Sequence, residues 1–393
     1  MPGNYQGAST RTVCILCSQH VPDDVRVTHR IGKRLREEGY AVTWVGPERP
    51  RKGDDYGIRF VYYPPAVGKL GRLLTHASRL MKTARSVGPQ DVYFAVEPDS
   101  AAVAVKLARR HKARAVFDIH EIYHQEMLLR WVPSPLLGVV GAMVRWNIRR
   151  ICRACDLVVG VGQTRLDPYL EKETAGMVVR HCVPLSFASV GRGNPFPDER
   201  ETYVILHGKA TLSHGTKEIM EALSTLVHQH KIPCRIVMFR VNGVNNGSID
   251  SFVGKLAREL MIEASIDLRD PISYEAMFPL MQTCDVGVIA YRREFGRRCM
   301  PNRVFEYMAT GIPVIVPSYA EEMERLIPRY ECGLMCDTEN PHALGAALLK
   351  LWSNKQESRR MGANGRKAFE AGLNWEAESR PLMEWIRRED SGA

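Results

Sequence analysis

From Thr12 onward, short apolar runs alternate with stretches whose apolar positions recur every three or four residues. The runs at 13–16, 41–45, 58–62, 92–96, 115–118 and 157–161 are four or five residues long and mostly apolar, which predicts strands buried in a sheet. Helical spacing fills the gaps at about 26–38, where Gly39 is the stop, at 101–111 and at 136–155. The second half repeats the theme, with strands expected at 203–206, 235–239, 286–290 and 314–316 and a last helix at 375–388. Strands that alternate with helices form parallel sheets covered on both faces. Between the halves, Gly191, Gly193, Asn194, Pro195, Pro197 and Asp198 make a polar, breaker-rich linker. The expected fold class is therefore α/β. Two doubly wound Rossmann-like domains, 1–186 and 198–374, would face a cleft, with ligands bound beyond the carboxyl ends of the strands.

One segment, Pro301 to Val316, carries more functional information than any other. Pro301 and Asn302 can open a helix, Gly311 can close it, Pro313 forbids its continuation, and the Val and Ile residues that follow read as a buried strand. A helix entered from a loop offers unpaired backbone N–H groups and the positive end of its dipole to a phosphate. Glu306 lies one turn in, where a carboxylate can accept hydrogen bonds from ribose hydroxyls. The plainer alternative is an ordinary αβ unit whose glutamate faces water.

Composition narrows the class. The 393 residues are 45% hydrophobic and 25% charged, as in a soluble globular protein. No apolar run reaches the roughly 18 residues needed to cross a bilayer. Residues 1–11 lack the apolar stretch of a signal peptide, so a cytoplasmic location is expected. Ten cysteines then imply free thiols. The pairs Cys14 with Cys17 and Cys152 with Cys155 have CxxC spacing but none of the flanking turns or histidines of a zinc ribbon, and are read as small buried hydrophobes.

Charge is unevenly placed. The net +10 divides into +11 for 1–186 and −1 for 187–393. Two stretches concentrate it at helical spacing: Lys69, Arg72, Arg79, Lys82 and Arg85 among Leu70, Leu73, Leu74, Leu80 and Met81, and Arg145, Arg149, Arg150 and Arg153 among Val140, Met143, Val144 and Ile148. Each is either a helix at an anionic membrane surface or a core helix with a solvated basic face. A pI of 9.1 alone does not make a nucleic-acid binder, since no recognition helix or aromatic stacking motif accompanies it.

The segment Arg303 to Val314 resembles the nucleotide-sugar helix of the retaining GT-B glycosyltransferases of family 4, also called group 1: "lysine or arginine, hydrophobic, Phe, Glu, Tyr, Met, Ala, x, Gly, x, Pro, Val". Asp24, Val25, Arg26, Val27 followed by Gly39, Tyr40, Ala41, Val42 is similar to the family's opening, with Asp24 as a helix cap or Arg26 directed to the cleft. Asp118, Ile119, His120, Glu121 resembles its "Asp, x, His, Glu" signature on the acceptor side. The resemblance implies that His120 binds sugar hydroxyls or donor phosphate and that Glu121 takes a proton from the acceptor. Asp99, after another strand, is a further candidate, and Asp118 is alternatively a strand-end cap. Asp285, and Asn374 with Trp375, also match in order, and the last helix, about 375–390, would pack back on the first domain.

Two departures stand out. Where the family carries "Gly, Arg, four residues, Lys, Gly" to hold the donor pyrophosphate, this chain has Gly208, Lys209 and His214, Gly215. Lysine lacks the bidentate fork of arginine, and histidine is a weak cation at neutral pH. Eight positions before Glu306, where the family often has a second glutamate, stands Arg298; a Glu, Phe, Gly run begins instead at Glu294. Arg297 and Arg298 then suit diphosphate charge, and Asn302, Arg303 and Glu306 complete the expected donor site.

The expectation is a glycosyltransferase using a nucleoside diphosphate sugar, with retention, no metal and no cofactor. Its acceptor would be a sugar, a lipid-linked sugar or a small molecule, in bacterial polysaccharide or glycolipid synthesis, with peripheral contact to an anionic membrane surface and no nucleic-acid partner. A nucleotide-sugar epimerase of the same fold and a non-catalytic sugar-nucleotide binding protein remain the alternatives.

Overall fold

The computed structural model describes residues 10–388 apart from 66–67, 124–131, 133, 190–201 and 242–245, and the side chains of 68–74, 134, 188–189 and 274–275. The linker residues Gly191 to Asp198 and the side chains of Lys69, Leu70, Arg72, Leu73 and Leu74 thus lie outside the described part.

Among the described residues the strands form two parallel sheets. The first holds β1 (Thr12–Leu16), β2 (Ala41–Pro47), β3 (Arg59–Tyr63), β4 (Val92–Ala95), β5 (Arg114–Ile119), β6 (Leu157–Gly160) and β7 (Gly176–Val178) in the order β3-β2-β1-β4-β5-β6-β7. The second holds β8 (Tyr203–Lys209), β9 (Cys234–Phe239), β10 (Ile266–Arg269), β11 (Val286–Val288), β12 (Val314–Pro317) and β13 (Gly333–Cys336) in the order β10-β9-β8-β11-β12-β13. Each order reverses once, between β1 and β4 and between β8 and β11, and such a reversal opens a crevice at the carboxyl ends of the strands. These are two Rossmann-like domains, as the alternation of patterns implies.

Apart from the run at 58–62, which became the edge strand β3, the apolar runs became central strands because both faces are covered. Val13, Cys14, Ile15 and Leu16 are wholly buried, and β1 pairs Val13 with both Val42 and Val92. The three strands absent from the sequence reading, β7, β10 and β13, are half-buried and lie at sheet edges. An edge strand tolerates polar side chains such as Asp267 and Arg269, which erase the apolar run. The first helix also differs from a plain α-helix: Ile31 N donates to Arg26 O at 2.9 Å, an i to i+5 bond, before regular winding resumes at Lys33–Glu37. Asp24 caps this helix, its Oδ1 accepting from the N–H groups of Arg26 and Val27 at 2.9 and 2.8 Å.

By contact density the chain divides into Met1–Arg180 with Ser379–Ala393, and His181–Glu378. The last helix, Trp375–Arg387, therefore begins in the second unit and continues in the first, where Leu382, Met383 and Ile386 are buried. All ten cysteines are free; Cys14, Cys17 and Cys152 are buried, and burial pushes their thiols up. No described helix is long and apolar enough to cross a membrane.

Candidate functional site

In the first unit, three neighbouring strands deliver polar residues to the reversal point. β1 runs into Ser18, Gln19 and His20, β4 into Glu97 and Asp99, and β5 ends with Asp118, Ile119 and then His120. Glu97 is buried, and its carboxylate accepts the backbone N–H groups of Ser18, Gln19 and His20 at 2.8–2.9 Å. His20 Nδ1 lies 2.7 Å from the same carboxylate, and its Nε2 lies 3.1 Å from His120 Nδ1. His120 Nε2 in turn lies 2.8 Å from Asp118 Oδ2. Asp118 is fully buried and also receives Arg26, Nε and Nη2 donating to its two oxygens at 2.8 Å each.

Proton positions follow from the partners. Both outer acceptors are carboxylates, so His20 carries Nδ1–H and His120 carries Nε2–H, and one more proton lies between the rings. The two imidazoles together hold one positive charge. Burial alone would lower His20, but the hydrogen bond and charge of Glu97, with Asp24 and Asp118, raise it to about 9. Glu97 is held down at about 2, because His20 and the backbone donors outweigh its burial. Asp118 is likewise kept well below the usual carboxylate range by Arg26 and His120.

This network corrects two expectations. Arg26 does not project freely toward a cleft; it is 4% exposed and neutralises Asp118, which is an ion-pair partner and not a simple strand-end cap. Both ring nitrogens of His120 are engaged within the protein, so a hydrogen bond from this ring to substrate requires one of them to open. Asp99 is half-buried and accepts from Ser18 Oγ at 2.6 Å; burial and the charge of Glu97 raise its carboxyl. Glu121 is exposed two residues beyond β5. The sequence reading missed His20 as a participant and passed over Glu97. Their one signal was position, the first residues after adjacent strands.

The second unit builds its site around the β8–β11 reversal. β8 carries an irregularity between Leu206 and Gly208 and ends at the exposed Lys209. Gly208 has φ +100°, and a Cβ there would sit 3.2 Å from Arg303 Nε, so the backbone passes directly beside that guanidinium. The turn Thr211 to Gly215 then crosses to the loop after β11. Gly215 has φ +76°, and a Cβ would fall 2.0 Å from the carbonyl oxygen of Ala290. Arg292 N donates to Ser213 O at 3.0 Å, and the His214 ring lies 4.7 Å from Tyr291 and 5.3 Å from Phe295.

His214 is wedged among these rings with Nδ1 2.6 Å from Thr211 Oγ1. Burial and the cations Lys209 and Arg303 lower it to about 4, so it is neutral at pH 7 and does not replace the family's second cation. His207, buried in β8, is lowered to about 3 by burial, His214 and Arg303.

The helix Arg303–Thr310 stands where the pattern put it, with Asn302 exposed at its start and Gly311 at its end. Tyr307 donates to Leu206 O at 3.3 Å and seats the helix against β8. Glu306 is 8% exposed in the first turn. Among the described residues no hydrogen bond or ion pair reaches its carboxylate. Burial costs an unpartnered charge dearly unless a ligand completes it. Arg297 and Arg298 both turn to Glu321, at 2.9 and 4.0 Å. Glu294 is exposed on the turn Arg293–Gly296, and no hydrogen bond or ion pair joins it to Arg303 or Glu306 among the described residues.

Comparison with known proteins agrees with this fold. The family model described as Glycosyl transferases group 1 matches residues 192–368, and that of Glycosyltransferase Family 4 matches residues 25–169. A glycosyltransferase from Rickettsia africae has the same fold at 14% identity, covering 97% of this chain and 98% of its own with a TM-score of 0.76. A sucrose-phosphate synthase from Thermosynechococcus elongatus does so at 15% identity, covering 96% and 98%, with a TM-score of 0.73. HepE of Anabaena, solved in complex with UDP-glucose, does so at 13% identity, covering 95% and 99%, with a TM-score of 0.69. No curated protein sequence matches the chain.

Proposed function

The chain belongs to the group 1 glycosyltransferases of the GT-B fold, and from that premise we propose that it moves a sugar from a nucleoside diphosphate sugar to an acceptor hydroxyl with retention of configuration. The observation that carries the donor assignment is Glu306, nearly buried, unpartnered among the described residues, and one turn inside a helix whose first residue, Arg303, lies against Gly208. In this reading Glu306 accepts the ribose hydroxyls. The diphosphate takes the helix start at Asn302 and Arg303, with Lys209 as its exposed cation.

Transfer builds negative charge on the leaving phosphate while the anomeric carbon becomes cationic, and fixed cations and N–H groups aimed at that phosphate lower the barrier. The proposal includes no resident metal or cofactor. Arg297 and Arg298 are held by Glu321 in exposed pairs, which are worth at most about 1 kcal/mol and exchange readily for a diphosphate. On the acceptor side, in this reading, the hydroxyl proton goes to Glu121 or, once its bond to Ser18 opens, to Asp99, with the His20–His120 pair setting the field near them. We place the reaction in bacterial polysaccharide or glycolipid synthesis, on a sugar, lipid-linked sugar or small-molecule acceptor.

A thermal-shift screen with uridine, guanosine, thymidine and adenosine diphosphates tests the donor site, because a ligand bound only to the native state raises its melting temperature. One of the four should raise it, and Glu306→Ala should abolish the shift; an undiminished shift in that variant overturns the assignment. Incubation with the donor sugar alone separates transfer from epimerisation, since an epimerase converts the sugar without an acceptor.

A further inference from the structure

The helix Leu137–Ala154 has two apolar faces, and the fold uses one of them. Gly141, Ile148, Ile151 and Cys152 are buried against the first unit. Leu136, Val139, Met143 and Trp146, spaced three or four residues apart on the opposite side, are 54–66% exposed. A row of four large apolar side chains turned to water on one helix is unusual for a folded domain and marks a contact surface.

Charge identifies what it contacts. The helix contains no Asp or Glu; Arg145 and Arg150 are exposed on it, the Arg150 guanidinium 5.6 Å from the centre of the Trp146 ring, and Arg153 pairs with Glu171 at 3.2 Å. The neighbouring helix Pro98–His111 packs alongside and exposes Lys106, Arg109 and Arg110. Its one carboxylate, Asp99, is turned inward to Ser18. Thus the helix exposes apolar groups and arginines with no carboxylate of its own, and the helix packed beside it adds three exposed cations and no exposed carboxylate. A protein partner would find few groups there to pair with its cations. An anionic lipid leaflet offers both an acyl boundary and a dense layer of phosphates, and Trp with Arg is the pairing that suits such an interface.

We propose that the outward face of this helix docks on an anionic membrane surface, with Leu136, Val139, Met143 and Trp146 entering the acyl boundary and Arg145, Arg150 and the cations of the neighbouring helix on lipid phosphates. The inference deepens the proposed function, resting on it for the sense of a lipid-linked acceptor, and specifies how the first unit reaches such an acceptor. Lipid binding and nucleotide binding are separate readouts, so either reading can fail alone.

The test is flotation of the full chain with phosphatidylcholine vesicles, with and without phosphatidylglycerol, at low and high salt. The chain should float with the anionic vesicles at low salt, and salt should release part of it. Met143→Ser with Trp146→Ser should weaken partitioning by about tenfold or more. Arg145→Gln with Arg150→Gln should weaken it by about thirtyfold at low salt. All four positions are exposed, so melting temperature and the nucleotide-induced shift should stay at wild-type values. Vesicle binding that survives both double variants, or no binding to anionic vesicles, overturns the proposal. So does a wild-type dimer in sedimentation velocity that Met143→Ser with Trp146→Ser dissociates, since a second copy would then cover the face. Retained vesicle binding without any nucleotide shift supports the docking surface and sinks the donor site.

Discussion

Arg26, Asp118, His120, His20 and Glu97 form a line of alternating charge across three strand ends, and each member depends on the next. Removing the cation at one end leaves Asp118 charged and buried with only His120 to meet it. Arg26→Ala should therefore cost about 3–5 kcal/mol of stability, measured by urea denaturation, far more than loss of an exposed arginine. His20 supplies a pH signature. Its folded value of about 9 lies above the ordinary histidine value of about 6.5, so its contribution is whole below about pH 6.5 and is lost as the pH climbs through about 9. The melting temperature should fall over that window by an amount equivalent to roughly 2–3 kcal/mol, and His20→Asn should flatten the fall. Little of this line was legible in the sequence. The cap at Asp24 was, because capping is local. The destination of Arg26 and the part played by His20 were not, because only the register of β1, β4 and β5 brings them together.

Among the elements, the helix Arg303–Thr310 was the most legible, since Pro301, Gly311 and Pro313 are punctuation that acts within a few residues. Central strands were readable for a similar reason, their apolar runs being continuous. Of the edge strands only β3 was, its run at 58–62 being apolar enough to show; β7, β10 and β13 were not, and neither was the i to i+5 turn after Arg26, whose cause lies in what the helix packs against. The turn Thr211 to Gly215 shows how a departure from a family motif is absorbed. His214 takes the place of a cation, but burial and the charges of Lys209 and Arg303 keep it neutral while Tyr291, Phe295 and Thr211 hold its ring, so its contribution is to the shape of the loop. Gly215 locks that shape. Gly215→Ala places a Cβ against the Ala290 carbonyl in a left-handed backbone, and should cost more than about 2 kcal/mol and abolish the nucleotide-induced shift together. Wild-type stability and an intact shift in this variant would mean that the loop tolerates rearrangement.

For the molecule as a whole, the alternating pattern predicted two parallel sheets, and the topologies fix one reversal point in each. What the pattern alone could not supply, and only the family resemblance implied, is the ownership of the last helix. Its start is tied into the second unit, Trp375 N donating to Val183 O at 2.9 Å and Glu376 accepting from Leu185 N at 2.9 Å. Its end is tied into the first, where Arg114 donates to the carbonyls of Trp385 and Ile386 and Arg11 donates to that of Arg387. Leu382→Ala and Ile386→Ala should each cost about 2–5 kcal/mol in a denaturant titration, the range for deleting a fully buried aliphatic side chain, although both lie within twelve residues of the chain's end.

The order of synthesis gives that helix a further meaning. The second unit is an uninterrupted stretch, His181–Glu378, and can close as soon as its own residues leave the ribosome. The first unit is translated earlier but waits for the segment from Ser379 to Arg387, which follows the whole second unit, to cover the apolar surface that Leu382, Met383 and Ile386 occupy. The unit that is begun first is thus completed only after the second. Until then it carries an uncovered apolar strip, a natural handle for a chaperone and the place where a chain stopped before Ser379 would aggregate.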